Sequence, residues 1–138
     1  MKIQTTYEEC LEVSKEFNEH NDCAVIAVAL AGGIPYETSH SLLRELGGRE
    51  NRKPARYSSV SATLMLIGAT EKFLDMEEMK KNNGGRGLTP NNIVPLLDAT
   101  KTYVAYVKGH VFAVCKGKLE DWSVGRKFKV LQVVEVSR

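Results

Sequence analysis

Apolar positions fall into two regimes along this chain. Up to about residue 100 they come in short stretches at helical spacing. Over 5–17, Tyr7, Leu11, Val13 and Phe17, with Cys10 beside them, predict a surface helix with one narrow buried stripe, capped by Thr5 or Thr6. Over 23–31 the chain is apolar on every side, which predicts a buried helix stopped by Gly32-Gly33. Pro35 suits the first turn of a third helix reaching Leu46, with Tyr36, Leu42, Leu43 and Leu46 as its apolar side and Gly47-Gly48 as its stop. Ser58 or Ser59 caps a fourth through about Ile67, followed by the apolar pair Phe73-Leu74. Thr89-Pro90 opens a short one that Pro95 limits. After Lys101 the period shortens. Stretches 102–107, 110–115, 119–122 and 128–136 are rich in β-branched and aromatic residues and read as an antiparallel meander, turning at Lys108-Gly109, Lys116-Gly117 and 123–126. Helices first and strands after predict an α+β fold. A mainly helical lobe over 1–100 is followed by antiparallel strands over 101–138, in one domain spanning 1–138.

Composition narrows the class without naming a function. A chain of 138 residues can bury roughly 70% of its unfolded surface without disulfides. The net charge of +2 is too small to argue for nucleic acid or a membrane surface, so neither is expected as a partner. Residues 1–4 lead into a polar helical pattern rather than a signal peptide, and the apolar run at 23–31 is too short to span a bilayer. Three cysteines, Cys10, Cys23 and Cys115, are an odd number with no secretory signal, which favours free thiols in a reducing, cytoplasmic setting. Arg49, Arg52, Lys53 and Arg56 read as an exposed, solvated basic loop. The stretch 82–87 reads as a mobile Gly-rich connection, since it lacks the lysine and hydroxyl pair of a phosphate loop.

One cysteine stands in a special place. Asn21 and Asp22 are both good cap residues, and either leaves Cys23 in the first turn of the buried helix, where unpaired N–H groups and the dipole favour a thiolate. Such a thiol needs a base. His40 falls among polar neighbours within a helix and reads as a solvated surface residue, while His20 lies in a polar connection with nothing to orient it. His110 opens a strand directly after a glycine, which would hold its ring on a rigid edge. A two-residue turn at Lys116-Gly117 pairs Phe112 with Asp121 and puts Asp121 on the His110 face; a three-residue turn brings Glu120 or Trp122 there instead. Cys10 and Cys115 read as structural, and no second cysteine or histidine pair completes a zinc site, so no metal or cofactor is expected.

Asn-Asp-Cys opening a buried helix at Cys23, Gly109-His110 before an apolar strand, and Asp121 in the next strand resemble the papain-like cysteine peptidase superfamily, particularly its compact bacterial and phage-type members similar to bacteriocin-processing peptidases. That resemblance implies a papain-like fold and a thiol hydrolase acting on an amide or isopeptide bond of a protein or peptide. Cys23 would be the nucleophile, His110 the general base and Asp121 its orienting carboxylate. The family commonly carries a glutamine oxyanion donor six positions before the cysteine. Here that position is Phe17, so Asn18 or Asn21 would have to substitute. The departure also frames an alternative: a catalytically weak or inactive relative that binds a partner protein.

Overall fold

The computed structural model describes residues 2–46 and 48–138, so Met1 and the Gly47 half of the expected helix stop lie outside the described residues. The first helix, α1 (Tyr7–Glu16), is capped by Thr6, whose side chain accepts from the Glu9 N–H. It closes in a Schellman arrangement: the N–H groups of Asn18 and Glu19 reach the Lys15 and Ser14 carbonyls, each at 3.0 Å, with Asn18 left-handed at φ 51°. Its buried residues are Cys10 and Ser14; Phe17 lies beyond its end and is 40% exposed, so the expected stripe stops short of it. The second helix, α2 (Cys23–Gly32), is buried throughout after Cys23. Gly33 ends it at φ 66°, where a side chain would also collide with the Arg138 guanidinium.

Helix α3 (Tyr36–Glu45) buries Tyr36, Ser39, His40 and Leu43, leaving Leu46 exposed. Helix α4 (Tyr57–Leu66) starts ahead of the expected serine caps, with Arg56 at its cap position. Two short elements escape the helical reading of this half. Phe73 belongs to an edge strand, β1 (Thr70–Phe73), and the charged residues that follow, ahead of the Gly-rich connection, form α5 (Met76–Asn82). Asp75 caps α5 by accepting from the Glu77 and Glu78 N–H groups, and Met79 is its one buried residue, too little to generate a periodic signal. Thr89 and Asn92 form a reciprocal capping box on α6 (Pro90–Ile93), which runs into a 3-10 turn at Val94–Leu96.

The remaining strands are β2 (Thr102–Val107), β3 (His110–Cys115), β4 (Lys118–Glu120) and β5 (Val130–Ser137). All pairings are antiparallel, in the order β1-β5-β2-β3-β4. The class is α+β. The expected meander holds for β2, β3 and β4, but β5 returns to pair with β2 and β1. Val133 and Val134 of β5 are consecutive and fully buried, so this strand needs cover on both faces and takes an interior place in the sheet. One face, with Val104, Tyr106, Val111 and Ala113, packs on α2; the other, with Tyr103, Phe112 and Val114, packs beneath Met79 and Ile93. No described helix is long and apolar enough to cross a membrane.

Candidate active site

Helix α2 starts at Cys23 with no side chain capping it. Asp22 occupies the cap position but turns its carboxylate inward, where Oδ2 accepts from the Ser14 hydroxyl and the Tyr36 hydroxyl, each at 2.6 Å. The expected side-chain cap therefore gives way to a buried anchor, and the first-turn N–H groups keep the positive end of the helix open. Asn21, left-handed at φ 54°, donates from Nδ2 to the Arg52 carbonyl at 3.2 Å.

The histidine side of the cleft is built on β3. The turn Lys108-Gly109 has Gly109 at φ 75°, a conformation suited to glycine, and delivers His110 as the first residue of the strand. Cys115 pairs with Lys118, Val114 with Leu119 and Ala113 with Glu120, the register of a two-residue turn. The ladder ends there, so the expected Phe112–Asp121 pairing does not form and Trp122 lies outside the strand. Asp121 instead enters a turn and reaches His110 from the strand end. Its Oδ2 lies 2.6 Å from Nε2 of the ring and accepts from the Ser123 N–H at 3.1 Å. Burial alone would lower the pKa of His110. The Asp121 hydrogen bond and charge, with the interaction of the Cys23 side chain, outweigh it and raise the ring to about 9. Nε2 faces Asp121, which leaves Nδ1 as the ring nitrogen for the thiol. Trp122 covers the imidazole at 4.8 Å between centroids, and Phe128 meets the indole edge-on at 5.8 Å.

Residues 48–57 tie these two sides together, which reverses part of the solvated-loop reading. Arg49 is fully buried at its side chain and forms a bidentate pair with Glu19, Nη1 to Oε2 at 3.0 Å and Nη2 to Oε1 at 3.1 Å. His40, expected at the surface, is buried with Nε2 2.6 Å from Glu19 Oε2. The Arg52 N–H reaches Glu19 Oε1 at 2.7 Å. Burial raises the Glu19 pKa, but hydrogen bonds from Arg49, His40 and Arg52 together hold it down to about 2. At the other end of the segment the Tyr57 hydroxyl donates to the Val107 carbonyl and accepts from the Gly109 N–H at 2.9 Å, pinning the turn before His110. Removing the carboxylate in Glu19→Ala strands a buried guanidinium, and a loss of about 3–5 kcal/mol is expected in urea unfolding at neutral pH. The wild-type advantage, present above the ordinary glutamate range, disappears as pH falls towards 2.

Cys23, His110 and Asp121 line one cleft of about 310 Å³ with Tyr7, Trp122 and Phe128. A second hollow of about 380 Å³ shares Cys23, Pro54, Gly109 and His110 with it. Asn21 lines the first hollow, whereas Asn18 is exposed at the α1 terminus and lines neither. The left-handed backbone at Asn18 accounts for asparagine there without an oxyanion role. Phe17 rests edge-on against Tyr36 and His40. Tyr7, which the helical pattern marks only as a packing residue, lines the cleft. Burial, then Asp121 and Asp22, push its pKa up to about 12, so it stays a donor. Cys10 and Cys115 lie elsewhere, pushed up to about 12 and about 11, in each case first by burial. Among the described residues no group of three His, Cys, Asp or Glu is placed to hold a metal ion. No protein-family model matches the chain, and no curated protein or solved structure shows a significant similarity to it.

Proposed function

We propose that this chain is a papain-like thiol hydrolase that cleaves an amide or isopeptide bond of a protein or peptide through an acyl-enzyme. The observation that carries the reading is the 2.6 Å contact between His110 Nε2 and Asp121, in a cleft shared with Cys23 at the open end of α2. In this reading the Cys23 thiol gives its proton to His110 and the sulfur attacks the carbonyl carbon, forming a C–S bond, while the carbonyl π pair moves onto oxygen. As the tetrahedral species collapses, the C–N bond breaks and protonated His110 gives its proton to the leaving amine. Water, deprotonated by His110, then attacks the thioester, releasing a carboxylic acid and the thiol. Asp121 orients the ring and stabilises its protonated form. The Cys23 N–H, with no intrahelical acceptor at the first position of α2, supplies one oxyanion donor, and we assign the second to Asn21 or the Tyr7 hydroxyl. The three free cysteines fit a reducing cytoplasm as its setting.

Iodoacetamide tests the nucleophile. Intact-mass and peptide mapping at neutral pH are expected to show one rapid adduct, on Cys23, because Cys10 and Cys115 are held as thiols. Equal labelling of all three would overturn the reading. The alternative, a partner-binding relative without turnover, draws on Phe17, which leaves the usual position of the side-chain oxyanion donor without a hydrogen-bonding group. It predicts full partner binding by Cys23→Ala and no acyl-enzyme with any electrophilic peptide.

A further inference from the structure

The hollow on the Pro54 side of Cys23 is lined by Ala55, Tyr57 and Val111 as well as Pro54, and Arg56 is the one ionisable residue in its lining besides Cys23, His110 and the Tyr57 phenol. Lys108 lines the other hollow beside Gly109. More exposed cations adjoin the lining residues in sequence, Lys53 before Pro54 and Lys127 and Lys129 on either side of Phe128, and the Arg126 guanidinium carbon sits 5.9 Å from the centroid of the Trp122 ring. None of these six is within ion-pair distance of a carboxylate among the described residues. The cleft's own acids cannot neutralise them, because Asp22 is buried against Ser14 and Tyr36, and Asp121 against His110. Exposed Glu8 and Glu12 flank Tyr7 and Leu11 of α1, which line the first hollow only. The Pro54 end therefore pairs an apolar floor with uncompensated positive charge.

Resting on the hydrolase reading, we propose that the substrate is an acidic polypeptide segment: an apolar side chain enters the Pro54–Val111 hollow, and neighbouring carboxylates meet Arg56 and Lys108. Opposite charge raises the encounter rate, and the apolar floor supplies the contact that bulk anions lack. The hollow, about 380 Å³, has room for a leucine- or phenylalanine-sized group. The buried ion pair of Arg49 removes that residue from the basic stretch, so the positive surface is gathered at the cleft rather than spread along the loop. Such a gathering favours a short acidic segment over a long polyanion.

The test uses full-length Cys23→Ala chain and fluorescence anisotropy. The probes are a labelled peptide of alternating glutamate and leucine, its glutamine and lysine counterparts, and a single-stranded oligothymidylate of equal charge. The glutamate peptide is expected to bind at least about tenfold tighter than either counterpart, and to weaken by a similar factor between about 50 and about 300 mM salt. Arg56→Glu with Lys108→Glu should raise Kd about tenfold or more, and the milder Arg56→Gln with Lys108→Gln should raise it less, whereas Lys80→Glu on α5 should change it by less than about twofold. Equal binding of the three peptides, no peptide binding, or tighter binding of the oligonucleotide would each overturn the proposal. Selective labelling of Cys23 without an acidic preference rejects this inference alone. An acidic preference without labelling rejects the hydrolase reading and leaves the binding surface standing.

Discussion

Alanine at Cys23 is expected to reduce turnover of an acidic–apolar peptide by on the order of 10⁶. The side chain is half-buried at the first position of α2, where alanine fits the helix and leaves the Ala24 to Gly32 core undisturbed. The thermal midpoint should accordingly shift by no more than a few degrees. Loss of rate without loss of fold separates a nucleophile from a structural thiol. Cys10→Ala provides the opposite pattern, because it removes a fully buried sulfur beneath α2: stability falls by about 1–3 kcal/mol while turnover in the folded fraction persists. Product release by Cys23→Ala above about one per cent of wild type, measured on chromatographed peptide, would exclude the thioester route.

How much of this was legible in the sequence depends on the range of the interaction. Helix α2 announced itself because apolar residues on every side and a terminal glycine pair are local signals, and its bounds agree with them. The β3–β4 turn is equally local, but its residues leave a two-residue and a three-residue register open, and the two-residue one forms over three pairs. Beyond Glu120 the expectation placed Asp121 opposite Phe112, whereas Asp121 leaves the ladder and meets His110 through a turn. The two residues come together by a different path, since alternation along a strand says nothing about where pairing stops. The interior position of β5 leaves one local trace, the consecutive buried valines of a strand covered on both faces. The Glu19–Arg49–His40 cluster was invisible for a different reason. Its members are distant in sequence, and a charged residue next to glycines looks solvated until a buried partner is known. Asn18 and Asn21 both hold left-handed backbone, a use of asparagine that an amide-centred reading of the sequence does not separate from chemistry; of the two only Asn21 lines the cleft.

Replacing Asp121 with asparagine should separate orientation of the base from its charge, with a fall in kcat/KM of about 10³–10⁴. The carboxylate accepts from Ser123 N–H as well as contacting His110, so a neutral amide can keep the turn while ceasing to favour imidazolium. His110 is held up to about 9 against its ordinary 6.5, and the folded state therefore binds this proton more tightly than the unfolded chain. That stabilisation is complete below pH 6.5 and is lost as pH rises through about 9. Its upper bound is about 3 kcal/mol. Wild type and Asp121→Asn should thus differ most in denaturant midpoint at pH 6 or below, and converge towards pH 10 except for the neutral hydrogen-bond loss, about 1 kcal/mol. Activity carries the same signature. In the proposed hydrolase, leaving-group protonation needs charged His110, so the alkaline limb of the wild-type rate profile is expected near 9. With burial no longer opposed by Asp121, the limb in the variant should move to lower pH by at least about one unit. A limb that stays in place while the rate falls would show that Asp121 acts on ring position alone. A rate that does not fall would remove Asp121 from the site.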